Sequence, residues 1–419
     1  MIEELRRRFN ENYRPGAYGA LLERLDRECG THVKFRVAET PVFLPAELIQ
    51  QMALSGQQLA DSIMASPEEL AAARAAIPPG YRVAGETPRP HFLTADFALI
   101  RGADGSLEPR LVEIQAFPSV FGFQAVLCNQ YQAAYGLPAE LECFSGGMSE
   151  QAYWALLRQT IVGEHDPATV VLADVDPEHQ KTRPDFEVTA KRLGIAVADI
   201  AAVEAVGEQL HYRNKSGKLT PIRRIYNRAI ADELIARRIE LKFDLERRWD
   251  VEWAGHPNWY FLISKISIPA LAEKFAVVPP AVFVDEFLDG AGRAKLAGAG
   301  VELPDAGDGS AACSELLLKP LFSFAGKGIE FEPTQERLEA IPREERRNYL
   351  LQQRMRFEPT IETPFGLTQA EIRILYAWPD GGRLTPAMSL VRLGRGKMMG
   401  VDHNRDLEWV GASAAFVAR

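Results

Sequence analysis

HFLTADFALIRGADGSLEPRLVEIQAFPSVFGFQ, residues 91–124, is the stretch on which the reading of this chain turns. Residues 92–100 and 109–116 read as two strands, rich in side chains that suit a half-buried pleated surface. Gly102-Ala103-Asp104-Gly105 between them is turn chemistry. Alternation puts Leu93, Ala95, Phe97 and Leu99 on one face of the first strand and Thr94, Asp96 and Ala98 on the other. On the second strand Glu113 and Gln115 share a face, while Val112 and Ile114 point the opposite way. Paired as a hairpin, the strands bring two carboxylates and an amide oxygen to one point. That is a hard-oxygen set suited to Mg²⁺. A polar triplet inside strands this apolar, followed at once by Phe117-Pro118-Ser119, reads as a lined site rather than a wet face.

The totals set the frame. A chain of 419 residues suits two or three lobes, and 47% hydrophobic with 25% charged residues is ordinary for a globular protein. A net charge of −9 argues against nucleic acid or an anionic membrane as partner, yet leaves room for a local basic patch around a nucleotide. Cys29, Cys128, Cys143 and Cys313 lack metal-like spacing and read as idle thiols of a reducing compartment. The first sixteen residues carry no apolar core like that of a signal peptide, and no apolar run is long enough to span a bilayer. The expected location is cytoplasmic.

Residues 1–90 read as mainly helical, over 2–9, 17–28, 46–64 and 67–76, with a short strand at 33–37. Arg36 and Glu39 beside that strand read as a solvated edge. Helices follow at 120–134 and 149–162. The apolar run 168–174, ending in Asp174, reads as a buried parallel strand; a helix over 185–193, capped by Gly194, and a strand at 195–200 complete a β-α-β unit of Rossmann-like size. It lacks a G-x-G-x-x-G fingerprint, so an NAD(P)-dependent oxidoreductase is not supported. Further strands at 211–213 and 222–226 lead to Arg228, which either clamps a substrate carboxylate bidentately or closes an ion pair. Later, an apolar strand from Leu316 delivers Lys319, and a loop with Ser323, Gly326, Lys327 and Gly328 turns back into a strand at 329–331. Glycines let backbone N–H groups approach phosphate oxygens, and the two lysines add charge, although Walker A spacing is absent. Then come Tyr349-Leu-Leu-Gln-Gln-Arg-Met355, after a charged helix at 342–347; Glu371-Ile-Arg-Ile-Leu-Tyr376, with Glu371 and Arg373 on one face; Met388-Ser-Leu-Val-Arg392; and Met399-Gly-Val-Asp-His-Asn404.

Together these motifs resemble the ATP-grasp ligases of the glutathione-synthetase and glutathionylspermidine-synthase kind. In that family an Asp on one strand and a Glu-x-Asn on the next hold the metals near the C-terminal end of the chain. Here the matching hairpin, with Gln115 in place of Asn and Thr94 where Arg is common, comes first. The expected class is therefore α/β, an α+β ATP-grasp that is circularly permuted, with a Rossmann-like lobe preceding its nucleotide-binding part. The expected divisions are a mainly helical segment at 1–90, the metal hairpin and following helices at 91–164, the Rossmann-like substrate lobe at 165–250, and the nucleotide-binding subdomains at 251–419.

The resemblance implies roles. Asp96, Glu113 and Gln115 would hold Mg²⁺. ATP would lie against Lys319, Ser323, Gly326, Lys327 and Gly328, with Gln352, Gln353 and Met355 in the hinge that reads adenine, and Glu371 and Arg373 on the Asp-x-Arg strand of the family, with Glu in place of Asp. Arg392 and Lys319 would act on the transferred phosphoryl group, and Arg228 and Asn404 would face substrate. Lys265 and Lys295 both compete for the second ATP lysine. The implied activity joins a small-molecule carboxylate to an amine, on an amino acid, peptide or polyamine-type substrate, through an acyl-phosphate made with ATP. No side-chain nucleophile is needed, and no Ser-His or Cys-His arrangement stands out. The substitutions at Gln115 and Thr94 keep open a second reading, an inactive nucleotide-binding homologue.

Overall fold

Strands Phe92–Arg101 and Leu107–Gln115 pair antiparallel, with Asp96 opposite Glu113 and Thr94 opposite Gln115. The computed structural model describes residues 1–419 apart from 306–308, 324–325, 401–403, 405 and 419. The register shifts beside Asp96, since Phe97 faces Leu111 and one extra residue enters the second strand. This bulge changes one expected face. Leu111 and Ile114 both enter the core, and Val112 turns out into the wall of a cavity with Glu113.

The hairpin does not stand alone. Its first strand pairs antiparallel with Gly366–Ala377, placing Asp96 opposite Arg373 and Ala98 opposite Glu371. Thr385–Gly394, Gly411–Ser413 and Ile361–Thr363 complete a six-stranded sheet. One face carries Leu93, Ala95, Phe97, Ile372 and Ile374 into a core shared with Met52, Leu59 and Ile63 of helix Ala46–Met64. The other face carries Asp96, Glu371, Arg373 and Arg392. Alternation along each strand separates the two chemistries.

Facing that polar side is a four-stranded antiparallel sheet ordered Ala281–Phe283, Tyr349–Gln353, Leu316–Pro320, Glu330–Phe331. The charged segment expected as a helix at 342–347 is a 3-10 turn over Arg343–Asn348. A third sheet is all parallel: Glu252–Ala254, Arg224–Asn227, Val170–Asp174, Ala196–Asp199. Its helix Arg183–Leu193 ends at Gly194, whose φ of 73° closes the helix in the left-handed region. Strand 252–254 extends this sheet beyond residue 250; three residues are too short to show a period.

The first 90 residues are woven into the rest. Val42–Leu44 pairs parallel with Ala415–Ala418, and the strand expected over 33–37 shrinks to one bridge between Val37 and Ala412. Arg36 pairs with Glu39, whose carboxylate also accepts from the Trp409 amide, so these side chains tie the N-terminal segment to the C-terminal one. Among the described residues no helix is long and apolar enough to cross a membrane.

Candidate functional site

The polar face of the six-stranded sheet and the facing sheet enclose a cavity of about 580 Å³. That is the size of a small-molecule site. Among the described residues its wall holds eight Lys and Arg side chains against three carboxylates, Asp96, Glu113 and Glu371. In a chain of net charge −9 this is a local reversal of sign. It favours a polyanionic ligand.

Arg373 grips Asp96 bidentately, Nε donating to Oδ1 at 2.5 Å and Nη2 to Oδ2 at 2.6 Å, and Arg392 Nη2 adds a bond to Oδ2 at 3.2 Å. Arg392 also donates to Glu371, and Arg373 reaches Ser119 Oγ at 3.1 Å. Asp96 is 2% exposed and Glu371 5%. Burial alone would raise the Asp96 pKa, but Arg373 and Arg392 outweigh it and hold the carboxyl below its ordinary value. At Glu371 burial wins over Arg392, and the pKa is raised. Charges this buried lower the energy only while they stay paired.

Glu113 has a different partner. Lys265 Nζ lies 2.9 Å from its Oε1, and Gln115 hydrogen-bonds the same carboxylate. Burial pushes the Glu113 pKa up, Lys265 pulls it further down, and the net shift is downward. Lys265 also donates to the Ser323 carbonyl at 2.9 Å, which ties the glycine loop to the hairpin. Lys319, 4% exposed, donates to Gln352 Oε1 at 2.6 Å, and burial lowers its pKa to about 8 against the pull of Glu113.

The structure brings Asp96, Glu113, Gln115, Lys319, Gly326, Met355, Glu371, Arg373 and Arg392 to one cavity wall, with Lys265 among them. Lys295 is elsewhere, paired with Glu273 at the surface. Several expected residues lie outside the wall. Gln352 is fully buried and turned onto Lys319, and the Gln353 amide is taken by Pro280 O, so residues 354–357 rather than 352–353 border the cavity. Lys327 and Gly328 are exposed beyond the rim, and residues 324–325 of the same loop lie outside the described residues. Asn404 is buried and bonds the Met398 and Gly400 carbonyls and the Arg395 amide, bracing the 395–400 turn from behind. Residues 401–403 of that segment lie outside the described residues. Arg228 is the clearest correction. Its guanidinium is 6% exposed and donates to buried Asp185 at 2.7 Å and to the Ser119 carbonyl, so the carboxylate it clamps is internal.

Sequence reasoning missed Arg356, Arg395 and Lys397, which line the cavity with Arg354 of the expected hinge. The run Arg392-Leu-Gly-Arg-Gly-Lys397 carried a signal, three cations across the end of a strand. A larger cavity, about 1170 Å³, opens beside Arg224 and Glu252 where strand Arg224–Asn227 begins; its buried arginine is already paired with Glu252 and Asp380.

The cationic wall fits the phosphates of a nucleotide. For a divalent cation the fit is narrower than expected. Both Asp96 oxygens accept guanidinium bonds, so this carboxylate holds Arg373 and Arg392 rather than offering a free edge. Glu113 Oε1 faces the Lys265 ammonium at 2.9 Å, which stands in the cation's place. Among the described residues no three carboxylate, imidazole or thiol groups converge as a metal centre. An ion at Glu113 and Gln115 would therefore draw other ligands from phosphate and water.

No protein-family model matches the chain, and a comparison with curated proteins gives no match. Among solved structures, the chain is similar to a glutathione synthetase-like effector from Globodera pallida in its apo form. The TM-score is 0.53 at 12% identity, covering 96% of this chain and 99% of that one. A putative gamma-glutamylcysteine synthetase from Methylobacillus flagellatus KT matches with a TM-score of 0.40 at 14% identity, over 85% of each chain. The fold is mixed α and β, of the kind seen in that glutathione synthetase-like effector.

Proposed function

We propose that the cavity binds ATP with Mg²⁺ and that the protein is an ADP-forming carboxylate–amine ligase, its order of elements a circular permutation of the usual ATP-grasp. The observation that carries this reading is the cationic cavity between two antiparallel sheets, with Lys319 on one and the Asp96–Glu113 hairpin on the other. The likeness of fold to a protein named glutathione synthetase-like supports it. Lys319, Lys265 and Arg392 neutralise phosphate oxygens, and Arg354 and Arg395 add to the field at the rim. Glu113 and Gln115 would hold the metal, which when bound would supply charge neutralisation for the phosphates. Asp96 keeps Arg373 and Arg392 in place, a positioning role. A substrate carboxylate oxygen bonds to the γ-phosphorus as ADP leaves, and an amine then takes the acyl carbon as phosphate leaves. With Arg228 committed to Asp185, recognition of the substrates, small-molecule carboxylate and amine, falls to other groups of the cleft.

The test is thermal unfolding with and without MgATP and MgADP, followed by ADP release on adding amino acids, peptides and amines. Binding to the native state raises the melting temperature by mass action. A rise that EDTA and Lys319→Ala both remove, with ADP release that needs carboxylate and amine together, is the expected result. The saturation of Asp96 by arginines, with Gln115 in place of Asn, favours a second reading, a nucleotide-binding homologue without turnover. A melting shift without ADP release under any substrate pair would select it. No shift at millimolar nucleotide would overturn both.

A further inference from the structure

Two of the four cysteines meet in the core. Cys128 is fully buried on helix Phe121–Tyr135, which follows the hairpin, and its thiol shares a hydrogen bond with that of Cys143. Cys143 is half-buried, so the pair has an inner and an outer member. Both lie within electrostatic reach of the buried Tyr153 phenol. The backbone beside Cys143 is fixed on each side. Glu142 pairs with Val417 of the C-terminal strand, and Phe144 bridges Met388 of strand Thr385–Gly394, the strand that carries Arg392. The Phe144 ring packs on Tyr153 with centroids 5.0 Å apart. Helix, strand and bridge thus hold the two sulfurs together. Neither cysteine lines the cationic cavity.

We infer that Cys128 and Cys143 form an oxidation site, converted by a hydroperoxide into an internal disulfide that staples this helix to the segment paired with the C-terminal strand. The outer thiol reacts first. The Cys143 sulfur takes one peroxide oxygen and becomes a sulfenic acid, and water leaves. The Cys128 sulfur then bonds to the Cys143 sulfur as its S–O bond breaks, and the departing hydroxyl takes the Cys128 proton as a second water. The two thiols lose two electrons, and the peroxide gains them. Burial, with the hydrogen bond from Cys143 adding to it, holds the Cys128 pKa well above the ordinary thiol value. Cys128 therefore stays protonated and inert to oxidant until its neighbour has reacted. The new bond closes a loop of about 15 residues, which restricts the unfolded chain and stabilises the fold.

The test treats the full chain with hydrogen peroxide, alkylates it in urea and digests it for peptide mass spectrometry. A linked peptide joining Cys128 to Cys143 is expected, with Cys29 and Cys313 still alkylated and full reversal by dithiothreitol. The oxidised chain is expected to melt a few degrees higher than the reduced one. Oxidation spread over all four thiols, links between chains, or Cys143 carried on to sulfinic acid without a link overturns the inference. So does an unchanged or lowered melting temperature in the linked chain. A pair that forms as fast in urea as in the folded chain also overturns it, since nearness in sequence would then suffice. Cys128→Ser is expected to stop at the Cys143 sulfenic acid, trapped by dimedone, and Cys143→Ser to leave Cys128 reduced. Oxidation of Cys128 in Cys143→Ser overturns the assigned order.

Discussion

Lys319 carries the pH dependence at the residue scale. Burial lowers its pKa from 10.5 to about 8, against the pull of Glu113. Between those values the unfolded chain keeps a proton that the folded chain has released, so this residue makes stability rise with pH across that window. Phosphate affinity runs the other way, since it needs the ammonium. MgADP affinity, measured by calorimetry on both sides of pH 8, is expected to weaken above it in the parent and to stay level in Lys319→Arg. Glu113→Ala is expected to abolish MgATP-dependent turnover while leaving far-ultraviolet dichroism unchanged, because it removes a cavity side chain and no core. Arg373→Met is a different case: it leaves Asp96 buried with Arg392 as its remaining cation, a loss of about 3–5 kcal/mol in urea unfolding. Adding Asp96→Asn to Arg373→Met recovers part of that loss.

At the scale of elements, helix Ala46–Met64 touches the sheet closely at Gly56. A Cβ there would stand 2.1 Å from Tyr376 Oη, which donates to the Ala53 carbonyl at 2.9 Å. Gly56→Ala is expected to cost about 1–3 kcal/mol in urea unfolding, with Gly56→Ala/Tyr376→Leu less affected than the sum of its parts. The hairpin was legible because alternation over two strands is a local signal, and it placed Asp96, Glu113 and Gln115 together. The bulge that turns Val112 into the cavity was not, because one inserted residue leaves no mark on composition. Arg228 read equally well as a clamp or a paired cation. Its partner Asp185 lies 43 residues away, and no periodicity reports a pairing of that kind.

For the whole molecule, the division at residue 90 was the least legible feature. Arg6 is buried and donates to Thr40 and the Pro41 carbonyl, and Val42–Leu44 then pairs with the C-terminal strand Ala415–Ala418. Removing residues 1–44 is therefore expected to yield insoluble or unfolded protein rather than a trimmed cavity domain, checked by circular dichroism and gel filtration. The six-stranded sheet sets a further demand. Asp96 and Arg373 are 277 residues apart in sequence, yet they close one ion pair. On a ribosome adding about 5–20 residues per second, the hairpin emerges roughly 14–55 s before the strand that covers its edge. Throughout that interval its unpaired backbone and apolar face wait in the nascent chain, a template for pairing with a neighbour. The six-stranded sheet cannot close before strand Gly366–Ala377 has been made, and expression at lower temperature or with added chaperone capacity should raise the soluble yield.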